Sequence, residues 1–540
     1  MREQVPPATR SIDDAIRENA VAAPLSPAYI EPGGSLTWRA YDGFISLLGK
    51  ELLERGLGPG DRVGVWMHDG AAVHVALAAC NRARLVAVGL GARSGERELE
   101  HVLRRSRARA LITPRELRGV DAHDVFARLR NTLPDLAEHV LIDDALSPLN
   151  GTLTDAGPED LVRSTNELFP PRPCRPGELV LVNSTSGTTG LPKCVAHDEL
   201  RWHKFHEYSV DSARLTPDDV CMSVVPAPYG FGLWSAHYTP SFLGTPCLVL
   251  PRFDVEQTLT MLEQHRVTVL MAVSTQFIML LGHPRFASTD LSRLRAMFTG
   301  GEAIPPYKAK LFEEQTGCTV VQFYGSNESG ALSYTTIDDP QEKRLTTAGK
   351  VILEVRVRMF DAHRNEVPLT GTTAQPANNG DIRSLGYLDD PEANSELYTP
   401  DGWMLMGDLV TVDNEGYLTV VGRTSDVIIR GGKNISAPAV EAEVATHPAV
   451  ARCAAVAVPD ETFGERVCIC VVLHDGAQLS FDELLTHLRE REVSVEWLPE
   501  RMLVMDDLPM SSGGKVAKQV LRDQVARLPN DRLLPNTVSR

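Results

Sequence analysis

Through the first two thirds of this chain, short apolar runs of β character alternate with stretches of helical pattern, and that alternation limits the fold more than any other feature. An apolar run at residues 62–67 is followed by a helical pattern at 71–80, a second run at 85–90, a helical pattern at 96–105 and a third run at 109–113. Strands separated by whole helices do not close as tight hairpins; they pair in parallel, with the helices lying across the sheet. Similar runs recur at residues 178–183, 267–273, 295–298 and 319–324. The expectation is an α/β fold, with parallel sheets covered by helices in a large N-terminal domain.

From Gly349 the texture changes to short strands and turns, as at residues 351–360 and 416–421, which reads as a small β subdomain. The last part has a pattern of its own. Residues 440–446 read as a helix, 453–458 and 467–473 as strands, and 481–490 as an amphipathic helix. A small, mobile α+β lid is therefore expected after a boundary near Arg423, dividing the chain into 1–424 and 425–540. The segment TGTTAQPANNG, residues 370–380, is the most loop-like stretch and is expected on the surface. No internal repeat is visible.

A chain of 540 residues is too long for one compact core. Its formal charge of -17 argues against a nucleic-acid surface, which needs clustered Lys and Arg on the phosphates. The nine cysteines form no CxxC pair and read as buried, reduced thiols. The N-terminal residues lack the apolar core of a secretory signal, and the longest other apolar candidate, residues 71–80, is broken by His74 and falls short of the roughly 20 residues a span needs. A soluble, cytoplasmic protein without membrane insertion is expected.

The most specific motif is STSGTTGLPK, Ser184 to Lys193, directly after an apolar strand candidate. Its five hydroxyl residues and two glycines make a loop suited to an anion, because Gly lets backbone N–H groups turn toward phosphate while Ser and Thr add donors. The spacing excludes a Walker loop, which needs G-x-x-x-x-G-K-[ST]: Gly187 and Gly190 stand three apart, and Lys193 is followed by Cys194. On composition alone a Ser/Thr-rich structural turn is the competing reading.

The loop resembles the phosphate-binding signature of the adenylate-forming superfamily, whose acyl- and aryl-CoA ligases, carrier-loading adenylation domains and luciferases share one chemistry. Further landmarks follow in order: Gly300-Gly301-Glu302 and Tyr324-Gly325-Ser326-Asn327-Glu328, Gly402-Trp403 with Gly407-Asp408, Gly422-Arg423, and Lys515 in LPMSSGGK. The resemblance covers almost the whole chain, from about Leu36 to Arg522. It implies ATP, Mg²⁺ and coenzyme A as cofactors and a small-molecule carboxylic acid as substrate.

It also implies residue roles. Lys515, Glu328, Thr185 and Lys193 would be catalytic, with Glu328 holding Mg²⁺. Ser186, Gly187, Thr188, Thr189, Gly190, Gly301, Glu302, Ala303, Tyr324, Gly325, Asn327, Asp408 and Arg423 would bind ATP or AMP. Ser425 and Asp426 would form the hinge, and Gly431, Gly432 and Lys433 would approach coenzyme A. Tyr229, Gly230, Phe231, Ser274, Gly301 and Gly325 would shape the acyl pocket, the run APYGFGLW (227–234) being similar to benzoate-type CoA ligases. Taken singly, Glu328 also reads as a helix-start acid, Gly407-Asp408 as a turn and Lys515 as a surface charge.

Several positions depart from the family pattern. Cys194 stands where Gly is usual, Asn327 and Met406 where Thr is usual, Ser274 where many relatives have Pro, and Ser425 at the usual Asp or Lys hinge position. The customary Glu-Leu strand beyond Thr370 is missing, and the lid run Ser436-Ala437-Pro438-Ala439 shifts a proline by one. The leading expectation is an ATP-dependent acid:CoA ligase acting through an acyl-adenylate on a hydrophobic acid, CoA being favoured because no carrier module is fused. The alternatives are a ligase loading a separate carrier protein, a specialist for the thioester-forming half-reaction on a supplied adenylate, and a non-catalytic nucleotide-binding relative. A homodimer is compatible with each.

Overall fold

The computed structural model of the chain describes residues 10–142, 168–171, 173–185, 191–302, 304–361, 363–423, 427–430, 433–460, 462–510, 516–528 and 534–535. Two large sheets dominate it. In the first, the strands Arg62–Trp66, Val86–Leu90, Ala110–Thr113 and Glu138–Leu141 run parallel to one another and to β1 (Leu181–Ser184). Strand β2 (Cys194–His197) turns back antiparallel to β1 and leads into helix α1 (Leu200–Ala213).

The second sheet has nine strands. Its centre is parallel, with Pro27–Glu31, Cys247–Leu248, Cys221–Ser223 and Val269–Met271 side by side. Helix α2 (Ser274–Leu281) follows, then β3 (Ala296–Gly300) and β4 (Thr319–Ser326), also parallel; β5 (Gly330–Tyr334) folds back antiparallel on β4. A late strand, β6 (Gly386–Tyr387), returns to the first sheet and pairs with β2.

The helices sit where the burial pattern demands. One core lies between the sheets, built from Val63, Val65 and Ala87 of the first, Val269 and Phe298 of the second, and the helices Ile12–Ala22, Trp38–Glu54 and Ala71–Arg82 with α1. Alternate residues of the same strands, such as Trp66 and Leu111, face a second core under Leu99, Leu103 and Phe126, whereas Met297 and Leu270 face a third under Leu259, Phe277 and Phe312. Period-two alternation on strands covered on both faces thus yields helix, sheet, helix, sheet and helix layers. The helical patterns at 71–80 and 96–105 appear as Ala71–Arg82 and Glu96–Ser106.

The small β region differs from expectation in one place. Residues 370–380 are not simply surface loop: Gln375–Asn378 is a strand between Val357–Phe360 and Met404–Leu405, and Pro376, Ala377 and Asn378 are buried. Its Pro376 backbone nitrogen has no ladder bond to give, but the Pro376 carbonyl still accepts from Met406 N at 2.9 Å. The strand absent as a Glu-Leu pattern is therefore present as QPAN. Strand β7 (Asp408–Val412) then forms a ribbon with Leu418–Arg423.

The C-terminal sheet takes its strands from Val427 onward, pairing Val450–Asp460 with Gly464–Leu473 and the latter with Arg501–Val504. Helices Ala437–Val444, Phe481–Glu490 and Lys518–Arg527 cover it. Ser480 starts the second of these with a capping box, its hydroxyl accepting from Glu483 N while the Glu483 carboxylate accepts from Ser480 N at 2.8 Å.

Candidate active site

Strand β1 runs parallel to Val86–Leu90 on one side and antiparallel to β2 on the other, so its C-terminal end opens at the end of the sheet where α/β proteins bind ligands. There the motif begins: Thr185 N donates to Lys193 O at 3.0 Å, closing the base of the loop. Ser186, Gly187, Thr188, Thr189 and Gly190 lie outside the described residues. The Lys193 ammonium sits 4.8 Å from the ring centre of Tyr387, which β6 places beside Val195 of β2. The Tyr387 hydroxyl donates to Oε1 of Glu328 at 2.8 Å.

Lys193, Tyr387 and Glu328 are thus one contiguous set. Burial, and next the negative charge of Glu328, push the Tyr387 phenol well above its ordinary value, so it remains a protonated donor. Sequence reasoning missed Tyr387. Its partner is 59 residues away, and its only local signal is an aromatic after Gly386 in a polar segment.

A second set forms at the ends of β3, β4 and β7. Strand β3 pairs Gly300 with Phe323, so that Gly301, at φ +78°, turns away in the left-handed region that favours glycine. The Tyr324 hydroxyl donates to Oδ2 of Asp408 at 3.0 Å, and the ribbon register pairs Asp408 with Arg423. Gly325 permits the tight return to β5, because a Cβ there would lie 1.9 Å from the Gly330 carbonyl oxygen. Glu302 points elsewhere: its Oε1 accepts from Thr275 N at 3.2 Å, holding the start of α2, where a carboxylate complements the helix dipole. Ala303 lies outside the described residues.

The acyl-pocket candidates open a helical segment: Gly230–Gly232, then a π-helical stretch Leu233–Tyr238. Trp234 stacks on Phe231 with ring centres 5.1 Å apart and meets Phe298 and Phe323 edge-on at 5.5 and 5.4 Å. Asp69 anchors the approach, accepting from Ala227 N at 2.6 Å, and burial raises its carboxyl to about 6. Ser274 is buried at the first turn of α2. A Cβ on Gly230 would lie 2.8 Å from Oδ1 of Asn327, so the acyl and carboxylate segments touch.

The departures from the family pattern have physical homes. Cys194 is buried in the second core with Val182, and burial pushes its thiol up to about 12. Met406 is buried in the central core. Asn327 forms a reciprocal amide pair with Asn183: Nδ2 of Asn327 donates to Oδ1 of Asn183 at 2.6 Å, and the return bond is 3.1 Å. In the C-terminal sheet, Lys433 begins a strand whose register pairs it with Arg430. Lys515, Ser425, Asp426, Gly431 and Gly432 lie outside the described residues.

Two parallel sheets that meet a hydroxyl-rich hairpin, a carboxylate turn and a Tyr–Asp pair, followed by a separate α+β unit, define the class: an adenylate-forming ligase. The chain belongs to the AMP-binding enzyme family, whose model matches residues 16–384, and the AMP-binding enzyme C-terminal domain matches 439–515. It is similar to the medium-chain fatty-acid–CoA ligase of Escherichia coli (strain K12), 30% identical over 96% of this chain and 91% of that one. A salicylyl-CoA synthase / salicylate adenylyltransferase of Streptomyces sp is 32% identical over 92% of this chain and 90% of its own. The crystal structure of an anthranilate CoA ligase in complex with anthranoyl-AMP shares the fold, with a TM-score of 0.84 at 22% identity over 96% of this chain and 98% of that one.

The chain is therefore an AMP-forming acid–thiol ligase that uses ATP, Mg²⁺ and coenzyme A. Among the described residues, no helix is long and apolar enough to cross a membrane.

Proposed function

We propose that this ligase activates a hydrophobic acid, aryl, alicyclic or otherwise bulky, and passes it to coenzyme A. The observation that carries the reading is the aromatic box of Phe231, Trp234, Phe298 and Phe323 beside Tyr229 and Gly230. Phe231 is the partly exposed member of this otherwise buried cluster and offers a flat apolar face for a ring, with no charged side chain in the cluster to match a second carboxylate. The salicylyl- and feruloyl-CoA synthases among the relatives support the same class of acid.

In the first step an oxygen of the carboxylate attacks the α-phosphorus of ATP and pyrophosphate leaves. Two anions must meet there, so Lys193, Thr185 and the loop N–H groups would offset their charge, with Lys515 bridging them from the lid. Glu328 would hold Mg²⁺. Its carboxylate is half-buried and, among the described residues, accepts through Oε1 from the neutral Tyr387 hydroxyl, a bond that leaves further oxygen lone pairs for a hard cation. The ion would neutralise charge on the leaving pyrophosphate.

Tyr324 would lie on the adenine, and Asp408 with Arg423 would take the ribose. In the second step the thiol sulfur attacks the acyl carbon and AMP leaves. Gly431, Gly432 and Lys433 would line the path of the thiol after rotation about Ser425–Asp426, with domains at 1–424 and 425–540. A cytoplasmic location belongs to this reading and is supported by nine free cysteines. A separate carrier protein is the competing acceptor.

The test is a panel of aryl, alicyclic and terpenoid-like acids with ATP and Mg²⁺, each offered coenzyme A or an acyl carrier protein. AMP, pyrophosphate and an acyl-CoA are expected. ADP as product, or no acid-dependent turnover, would overturn the reading; preference for the carrier would overturn the acceptor.

A further inference from the structure

Beneath the carboxylate turn lies a group of buried polar side chains that the two-step chemistry does not use. Arg201 on α1 is 1% exposed, His197 at the end of β2 is fully buried, and so is Asn183 on β1. NH1 of Arg201 lies 2.5 Å from Nδ1 of His197, and Nε2 of His197 lies 2.7 Å from Oδ1 of Asn183. Asn183 is joined to Asn327 by the reciprocal amide bonds, and NH1 of Arg201 donates to the Asn327 carbonyl at 2.9 Å. The chain of bonds starts and ends on the turn that carries Glu328.

Its direction is fixed by chemistry. A guanidinium only donates, so His197 Nδ1 must accept and the proton sits on Nε2, which donates to Asn183. Burial, and next the Arg201 charge, hold the imidazole well below its ordinary value, so it is neutral as this arrangement requires. The links from Arg201 through His197 to Asn183 therefore point from the cation toward the turn, and the reciprocal amide pair joins Asn183 to it.

Such a buried cation is expensive. Among the described residues no carboxylate lies within ion-pair distance of the guanidinium, and its Nε has no hydrogen-bond partner. Aromatic faces at 5.0 Å (Trp202) and 5.9 Å (Phe205) take part of the charge, and Asp198 and Glu328 balance it at longer range. Burial lowers the guanidinium to about 10, which still leaves it charged at neutral pH. A packing role alone would be served at lower cost by an apolar side chain.

We propose that Arg201, acting through His197 and the Asn183–Asn327 amide pair, is a positioning residue that sets the Glu328 carboxylate for Mg²⁺. The assignment rests on the reading above that Glu328 holds the metal. Glu328 is then fixed from two sides: the Tyr387 hydroxyl at the carboxylate, and the Arg201 network one peptide bond before it. Gly230 touches Asn327, so the same turn is the point at which an occupied acyl pocket meets the metal site.

The experiment measures acid-dependent ATP–pyrophosphate exchange against Mg²⁺ concentration in the full-length parent, His197→Leu, His197→Gln and Asn183→Leu. A preformed acyl-adenylate with coenzyme A reports the second step separately. His197→Leu and Asn183→Leu should raise the half-saturating Mg²⁺ concentration about tenfold or more, as loss of a residue supporting a metal ligand does, and leave the second step close to parental. Gln can accept from Arg201 and donate to Asn183, so His197→Gln should recover most of the Mg²⁺ affinity. A general loss of stability would not move Mg²⁺ half-saturation in the molecules that remain folded.

The proposal is overturned if both leucine variants, folded by circular dichroism, keep the parental Mg²⁺ dependence. Equal loss of both half-reactions, or failure of His197→Gln to differ from His197→Leu, would overturn it too. A parent with no Mg²⁺-dependent exchange on any acid would instead overturn the functional reading, and this assignment with it. Should one leucine variant not fold, the other carries the test.

Discussion

The Tyr387 hydroxyl donates a 2.8 Å hydrogen bond to Glu328, joining the edge strand of one sheet to the turn that leaves the other. The bond crosses the seam between the two sheets, where the hydroxyl–glycine loop also ends at Lys193. Tyr387→Phe removes the donor and keeps the ring over Lys193. A hydrogen bond to a half-exposed carboxylate is worth about 1 kcal/mol, or roughly fivefold. The expected result is a pyrophosphate-exchange rate lowered by about that factor at limiting Mg²⁺; an unchanged rate would show that the bond does not bear on the reaction.

Lys515→Ala should separate the two chemical steps. Only the first must bring a carboxylate to a triphosphate, and losing a charge-assisted contact there costs on the order of a hundredfold. Acyl-CoA formation from free acid should fall by that much, while formation from a synthetic acyl-adenylate stays near the parental rate. Equal loss from both starting materials would contradict a step-specific role.

Ser425→Pro tests the hinge. Proline fixes φ near about -65°, so a residue that rotates between half-reactions can then serve one of them only. Strongly unequal loss of the two half-reactions is expected, measured in a variant with parental circular dichroism. Equal loss would remove Ser425 as the pivot.

Gly325→Ala should be among the most damaging single-methyl changes. The new Cβ would stand 1.9 Å from the Gly330 carbonyl oxygen, backbone that cannot move without opening the β4–β5 return. Destabilisation of about 3 kcal/mol or more is expected, read as a lower denaturant midpoint together with loss of AMP binding. A near-parental midpoint would show that the return is loose.

Acid should destabilise the fold before it protonates most carboxylates. Burial holds His74 and His197 well below their ordinary value, His237 at about 3, and His139, His203 and His206 at about 4. Unfolded histidines take a proton near about pH 6.5, so below that the unfolded state binds more protons and is favoured. This contribution is fully present above about pH 7 and is lost as pH falls toward the folded values. Asp69, raised to about 6, opposes it by one proton, because its folded form takes up a proton first. With six histidines against one aspartate, the net slope approaches about 7 kcal/mol per pH unit between about pH 6 and 5, at about 1.4 kcal/mol per proton. Melting temperatures that stay flat from pH 7.5 to 5.5 would contradict this balance.

What the sequence determined by itself was local in origin. Strand–helix alternation at residues 62–113 fixed parallel layers because side-chain period and connection length are set within a few residues of each other. The hydroxyl–glycine run, and the order of Tyr324, Glu328 and Asp408 along the chain, carried the family resemblance for the same reason: each motif is a short stretch whose chemistry travels with it. The strand Gln375–Asn378 escaped that reading because a Pro- and Asn-rich stretch has weak β propensity, and its place between two strands is decided by the sheet around it.

The tertiary structure alone decided which groups meet. Nothing local joins Glu328 to Tyr387, Asn327 to Asn183 144 residues away, or Glu302 to the start of α2. Those contacts follow from sheet order and close packing. Arg201 is a charged residue in a polar-flanked helix, and it is 1% exposed because β2 and α1 carry it under the carboxylate turn. Burial and partner choice are properties of the assembled layers, and they decide whether a charged side chain is solvated decoration or part of the site.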